Sequence, residues 1–230
     1  MTGVVLVGRG RIGGEIARGL AGNALPPFRL LAVLGRGDDI ASAAANADIV
    51  VEAAAAAAVP AIARAVLPLG KTLVVGSAAG LWLPDMPPVA PGRVIVPSGA
   101  APALDALKAF ARHGDCRARF RMLGPPGHSP AGPEGWRGSV REAALRFPAH
   151  CNNLVAAALA LGREDIAVEI RPDPAARGPT VEIEVESDTS RLTARLEHFA
   201  SPAHPQVTRN IALSMLAALA SLAAPITAGT

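Results

Sequence analysis

This sequence contains few of the residue types that mark several common classes of protein. Only 2 of its 230 residues are cysteine, none is tyrosine, and aromatic residues make up 3% of the chain. Cys116 and Cys151 are too few for a disulfide framework and lack the spacing of metal ligands, so we expect a cytoplasmic protein without a metal site. We also expect no signal peptide, because a strand pattern starts almost at once.

Clustered positive charge is missing as well. The net charge is +3, and only Lys71 and Lys108 of the 22 basic residues are lysine. The arginines are scattered and no aromatic residues alternate with them, so no nucleic-acid partner is expected. Residues 211–229 are uncharged and nearly long enough to span a bilayer. Pro225 and the Ala, Ser and Thr content favour a buried helix instead, and no membrane partner is expected.

The start of the chain carries the most informative motif. Val4–Val7 is typical of a strand buried on both faces, and the spacing G-x-G-x-x-G follows it and opens a segment of helical periodicity. The first glycine of such a motif permits a tight turn, the second lets the backbone approach a pyrophosphate, and the third lets the helix pack on the strand. An ordinary turn in a ligand-free α/β domain is the alternative. The predicted dinucleotide-binding residues are Gly8, Gly10, Arg11, Ile12 and Gly13.

Strand and helix patterns alternate along the first part of the chain. Further strands are predicted at 28–34, 48–54, 71–77 and 93–97, with a helix at 55–69. This alternation predicts an α/β domain with a doubly wound parallel sheet of the Rossmann type. Ala53, Ala54 and Ser77, at the ends of two of these strands, complete the predicted cofactor site of this domain.

The end of the second strand bears on the choice of cofactor. A Rossmann unit commonly carries Asp or Glu there to bind the ribose hydroxyls, but this chain has Gly35, Arg36 and Gly37. A small residue followed by arginine leaves room for a 2′-phosphate and supplies a planar donor for it. We therefore predict NADP as the cofactor, with NAD possible, and Arg36 as a phosphate ligand. The alternatives are a solvated Arg36 and an Asp38 that turns inward.

The pattern of the chain changes after residue 100. Three segments alternate apolar and polar residues, as strands with one wet face do, and they predict an antiparallel or mixed sheet. Ser139 and Glu142 have the spacing of a capping box for a helix. The predicted strands are 117–123, 165–171, 180–186 and 192–196, the helices are 105–112, 140–146, 150–161 and 209–223, and 124–138 is a Pro- and Gly-rich loop.

Several motifs, in order and over nearly the whole chain, resemble the L-aspartate dehydrogenase family. The resemblance implies a Rossmann domain over 1–98, an α/β substrate and dimerisation domain over 99–208, and a C-terminal helix in 209–230 that packs back on the first domain. It also implies a homodimer that interconverts an amino acid with its 2-imino or 2-oxo acid using NAD(P). The motifs are GRGRIGG (8–14), ADIVVEAA (47–54), VVGSAAGL (74–81), PSGAAPALDAL (97–107), GSVREAALRFPAHCNN (138–153), RPDP (171–174) and SPAHPQVTRNIALS (201–214), the last where the family usually has Asn-Pro-Lys-Thr-Ser.

The resemblance also assigns residues in the second domain. Ala100 and Asn152 fall on cofactor-contacting positions, where a small residue admits the cofactor and an amide can bond the nicotinamide carboxamide. A plain helix N-cap is the alternative for Asn152. The family's catalytic histidine falls near Val181, where this chain has none. His150 is the predicted substitute acid, because it lies at a helix N-terminus beside a cofactor position. The other candidates are His128, His198 and His204.

The missing histidine sets the expected activity. Oxidation of an amine through an imine needs a group that moves protons, whereas reduction of a preformed protonated imine does not. The sequence therefore predicts an aspartate dehydrogenase-like oxidoreductase with poor aspartate oxidation. The alternatives are an imine reductase or dehydrogenase for a different amine, and a weakly catalytic NADP-binding protein.

Overall fold

The computed structural model describes residues 1–201 and 209–228. These residues form two compact units, one made of 1–99 with 209–228 and the other of 100–201. Within these described ranges, no helix is long and apolar enough to cross a membrane.

The first unit is built on a five-stranded parallel sheet with the strand order β2-β1-β3-β4-β5. This confirms the predicted doubly wound α/β fold. The strands are β1 (Thr2–Val7), β2 (Phe28–Leu34), β3 (Ile49–Glu52), β4 (Thr72–Val75) and β5 (Arg93–Ile95). The helices between them are α1 (Arg11–Leu20), α2 (Ile40–Ala45) and α3 (Val59–Val66).

One helical connection differs from the sequence prediction, and for a second the sequence made none. The helix expected at 55–69 is α-helical only in α3, with 3-10 turns at Ala56–Ala58 and Leu67–Leu69. Pro60 and Pro68 stand at the starts of the segments that follow these breaks, and each lacks the N–H that a continuous helix needs. Between β4 and β5 the chain forms only the 3-10 helix Ala78–Trp82.

The second unit contains a five-stranded mixed sheet with the order β10-β9-β6-β8-β7. Strands β6 and β8 are parallel and the other pairs are antiparallel, which confirms a mixed sheet. The strands are β6 (Arg117–Gly124), β7 (Trp136–Ser139), β8 (Ala167–Pro172), β9 (Thr180–Glu186) and β10 (Arg191–Glu197). The helices are α4 (Leu104–Phe110), α5 (Val140–Arg146) and α6 (Asn152–Leu161).

Strand β7 corrects the loop predicted at 124–138. Trp136–Ser139 pairs with β8, with Trp136 opposite Ile170, and the Trp136 ring also meets Phe147 edge-on at 5.8 Å. The Pro and Gly content predicted turns correctly but could not reveal a pairing partner so far along the chain. The capping box of α5 is confirmed, because the Ser139 hydroxyl accepts from the Glu142 N–H and the Glu142 carboxylate accepts from the Ser139 N–H.

The two faces of the second sheet have opposite character. Val181 and Ile183 of β9 are buried, while Glu182 and Glu184 between and beyond them meet an arginine on the other face. Arg121 donates to Glu182 at 3.1 Å and to Glu184 at 2.9 Å. The alternation of apolar and polar residues along β9 therefore gives the sheet one apolar face and one face that carries ion pairs.

Both faces of the first sheet are covered by helices. On one face Val5 and Val50 pack with side chains of α2 and α3. On the other, Val4 and Val51 pack with α1 and with Met215 of α7 (Arg209–Ala223), which has the predicted bounds. Burial on both faces explains why these strands are almost continuously apolar. The carboxyl ends of the strands are not covered by these helices, and the loops that follow them can form a site there.

Candidate functional site

The glycine motif forms the turn between β1 and α1. Gly8 has φ +129° and lies against Ala53, so that a Cβ there would overlap the Ala53 carbonyl oxygen. A Cβ on Gly13 would overlap the carbonyl oxygen of Gly8. Gly10 is different, since a Cβ there would meet no atom within 4 Å. The chain itself requires the first and third glycines, and the second borders open space.

The start of α1 has the character of an anion site. Its N-cap is Gly10, which offers no capping side chain, and its first turn contains no acidic residue. The first intrahelical bond runs from the Gly14 N–H to the Gly10 carbonyl at 2.8 Å, so the earlier N–H groups, including those of Arg11 and Ile12, are left for another acceptor. Arg11 is exposed and Ile12 is half-buried against the core. This turn fits the pyrophosphate of a dinucleotide.

Two arginines and one aspartate border the end of β2. The Asp38 carboxylate accepts from the Gly35 N–H at 2.8 Å and from Arg9 at 2.7 Å. Arg9 also donates to the Val33 carbonyl at 3.2 Å. Arg36 is exposed and makes no ion pair with any residue in the described part of the chain. Asp38 is thus engaged by Gly35 of its own loop and by Arg9 of the turn after β1, while Arg36 is available for a phosphate.

Glu52, at the end of β3, is a site residue that the sequence analysis missed. It is fully buried, and its carboxylate accepts from the Ala54 N–H at 2.7 Å, the Ser77 N–H at 2.8 Å and the Ser77 hydroxyl at 2.9 Å. Burial raises the pKa of Glu52, and the N–H groups of Ser77 and Ala54 oppose that rise. The only signal in the sequence was one charged residue at the end of an apolar run.

These contacts bring the predicted residues of the first unit together at the carboxyl ends of its strands. Ala53 donates its N–H to the Val7 carbonyl at 2.8 Å and supports Gly8. Glu52 joins the loop after β3 to Ser77 after β4. In the strand order β2-β1-β3-β4, the connection after β1 leads to β2 on one side, and the connection after β3 leads to β4 on the other side. Doubly wound sheets bind their ligands at the carboxyl ends of strands at such a switch point.

The other predicted site residues belong to the second unit. Ala100 is half-buried in a turn before α4. His150 is exposed in the turn before α6, where its N–H donates to the Phe147 carbonyl at 2.9 Å. Asn152 is the first residue of α6 and Cys151 is the N-cap, so the alternative of Asn152 as a plain N-cap does not hold. Burial raises the pKa of Cys151 to about 12, which makes its thiol a poor nucleophile near neutral pH.

The remaining histidines are in different environments. Thr180 and Val181, at the position where the sequence lacks the expected histidine, are both buried in β9. His128 is exposed in the Pro- and Gly-rich loop, and His204 lies outside the described residues. Nε2 of His198 is buried and has no hydrogen-bond partner; no other side-chain nitrogen or oxygen among the described residues is in that state.

Comparison with known proteins agrees with this geometry. The family model described as "Aspartate dehydrogenase, C-terminal" matches residues 134–222. L-aspartate dehydrogenase 3 of Bordetella bronchiseptica is 34% identical over 99% of this chain and 97% of its own length. L-aspartate dehydrogenase 2 of Bordetella pertussis is 30% identical over 98% of both chains. Aspartate dehydrogenase from Thermotoga maritima has the same fold, with a TM-score of 0.78 at 22% identity over 100% of both chains.

Proposed function

This chain belongs to the L-aspartate dehydrogenase family and is an NAD(P)-dependent oxidoreductase, and we propose that it interconverts L-aspartate with its 2-imino and 2-oxo acids. The observation that carries the proposal is the glycine turn at the switch point of the first sheet, where Gly10 borders open space beside uncapped N–H groups. Such a turn suits a dinucleotide, and the substrate class follows from the family.

The first unit holds the cofactor in this proposal. NAD(P), when bound, supplies the nicotinamide carbon that exchanges a hydride with the α-carbon of the amino acid. The N–H groups at the start of α1 bind its pyrophosphate. The residues of this unit that we assign to the nicotinamide half are Ala53, Ala54 and Ser77. The family resemblance assigns Ala100 and Asn152 to cofactor contact, and that assignment stays a prediction.

Proton transfer is the second requirement of the reaction. Oxidation of the amine leaves an iminium, and water must add to its carbon before ammonia can leave. His150 is the sequence-derived candidate for this role, and its exposed position lets it exchange protons with solvent. Assay of His150→Ala in both directions tests this candidate, and L-aspartate turnover equal to that of the wild type would exclude His150 from the role.

We expect wild-type protein to bind NADPH at least tenfold more tightly than NADH, about 1.4 kcal/mol, since Arg36 is exposed next to Gly35 and has no ion-pair partner among the described residues. The Arg36→Ala variant should lose that preference by binding NADPH more weakly, with NADH affinity unchanged. Fluorescence titration of both cofactors against both proteins measures the effect. Equal affinity of the wild-type protein for the two cofactors would mean that Arg36 is only solvated.

We further propose a homodimer formed through the strands after residue 163. Strand β10 is an edge of the second sheet, and the order of that sheet gives it no outer neighbour among the described residues. Edge strands favour pairing with a second chain. Light scattering at micromolar concentration should give twice the mass of the chain, and a monomer would contradict this assembly.

The proposed reaction is tested by NADPH oxidation with ammonia and a panel of 2-oxo acids. We expect the highest rate with oxaloacetate, and in the reverse direction NADPH formation from L-aspartate. If the protein turns over other oxo acids or preformed imines but not oxaloacetate, the alternative of an imine reductase for a different amine is favoured. Cofactor binding without any turnover would favour a weakly catalytic NADP-binding protein.

A further inference from the structure

His198 continues the ladder between the last two strands of the second sheet. Strand β10 pairs with β9 so that Leu196 lies opposite Val181 and Glu197 opposite Thr180. The pairing continues with a hydrogen bond from the His198 N–H to the Pro179 carbonyl at 2.9 Å. Because side chains alternate along a strand, His198 follows Leu196 on the face that carries Val181. Diagonal neighbours of this kind are about 7–8 Å apart.

The imidazole of His198 is in an unusual state. Its Nε2 is buried and, within the described residues, has no hydrogen-bond partner. A buried polar atom without a partner costs about 1–3 kcal/mol, so native proteins rarely keep one for packing alone. Burial lowers the pKa of His198, which favours the neutral imidazole, in which one ring nitrogen can accept a proton.

The charged neighbours of His198 are engaged elsewhere. The Glu197 carboxylate accepts from the Arg177 N–H at 2.7 Å, and the Arg177 guanidinium lies over the Phe199 ring at 4.2 Å. Thr180 is buried and its hydroxyl donates to the Gly178 carbonyl at 3.2 Å. None of these contacts uses the imidazole of His198, so among the described residues its buried Nε2 stays without a partner.

We propose that His198 is the acid–base residue of amino-acid oxidation in this protein, one strand away from the position near Val181 where the histidine is missing. The assignment rests on the proposed function and adds a catalytic residue to it. It also changes the expectation from the sequence, because a chain with this histidine is equipped to oxidise aspartate as well as to reduce imines.

The proton transfers balance around one imidazole. Water adds to the iminium carbon, the C=N electron pair moves to nitrogen, and Nε2 of His198 takes a proton from the water oxygen. The imidazolium then returns that proton to the nitrogen, and the C–N bond breaks to release ammonia. Ammonia removes the last proton from the oxygen, so iminium and water give the 2-oxo acid and ammonium with His198 neutral again.

The test uses two variants of His198 and a matched control. His198→Phe and His198→Gln retain bulk and remove proton transfer. His113→Phe makes the same change at an exposed histidine of the same unit, where Nδ1 lies 3.9 Å from Asp188. We expect kcat for L-aspartate oxidation to fall about 10²–10⁴-fold in both His198 variants. The KM and the NADPH affinity should stay unchanged, the melting temperature should not fall in either variant, and His113→Phe should match wild type.

A chemical rescue separates proton transfer from packing. Added imidazole should restore part of the activity of His198→Ala, and it should not raise the activity of the wild type. Suppose that the wild type oxidises L-aspartate. If His198→Gln then keeps more than half of the wild-type kcat, or if imidazole does not raise the activity of His198→Ala, the role of His198 is overturned and the proposed reaction stands. A wild type that oxidises no amino acid would overturn both. If His198→Phe fails to fold, His198→Gln and the rescue still decide.

Discussion

Gly10→Val is expected to remove most of the NADPH affinity while the melting temperature of the cofactor-free protein stays close to wild type. A Cβ at Gly10 meets no atom of the chain within 4 Å, so the branched side chain can be accommodated in the fold. It would occupy the space above the uncapped start of α1, which we assign to the pyrophosphate. We expect a loss of about 100-fold, equivalent to about 2.7 kcal/mol.

Gly13→Val is the contrasting variant for this prediction. A Cβ there overlaps the Gly8 carbonyl, so the same substitution three residues later should lower the melting temperature before any cofactor is added. Isothermal titration with NADPH and thermal denaturation measure the two effects. Binding by Gly10→Val within twofold of wild type would mean that the pyrophosphate lies elsewhere.

Substitution of Glu52 should produce the second large effect. Its carboxylate accepts from both N–H groups of the loops after β3 and β4, those of Ala54 and Ser77. In Glu52→Gln an NH₂ group must face one of these donors, and the buried N–H left unpaired should cost about 1–3 kcal/mol. In Glu52→Ala both N–H groups lose their acceptor, so the free energy of unfolding should fall further.

The Glu52 contact should also matter for turnover. Ser77 and Ala54 are assigned to the nicotinamide half, and misplacement of reacting groups by about 1 Å can cost about 100-fold in rate. We expect kcat of Glu52→Gln to be lower than that of the wild type even well below the melting temperature of the variant, where the variant is folded. Glu15→Gln is the matched control, because Glu15 is partly exposed and its one ion pair among the described residues is with Arg18 at 2.8 Å, a contact of at most about 1 kcal/mol. Equal stability of Glu52→Gln and Glu15→Gln, measured by urea unfolding, would contradict the role of Glu52.

Local patterns predicted the elements that depend on local physics. The strand Thr180–Glu186 and the helix Arg209–Ala223 have the bounds expected from hydrophobic periodicity, and the capping box at Ser139 needs only residues three apart. The parallel sheet followed from the alternation of strand and helix. Each of these features is determined within a short stretch of chain.

Features that depend on distant partners were not visible in the sequence. Strand β7 exists because Trp136 meets Ile170, and nothing near Trp136 indicates that pairing. Glu52 could be seen as a charged residue, but not as the acceptor shared by Ala54 and Ser77. His198 became distinct from the other histidines only through the register of β10 on β9 and the burial of its Nε2.

Transfer of deuterium from the cofactor to the product tests the proposed reaction most directly. The protein is incubated with oxaloacetate, ammonium and NADPH that carries deuterium on one face of nicotinamide C4, and the aspartate formed is examined by proton NMR. We expect deuterium at the α-carbon of L-aspartate from one of the two C4-labelled forms and none from the other. Oxidation of NADPH without labelled aspartate, from either form, would contradict the assignment of this chain as an aspartate dehydrogenase.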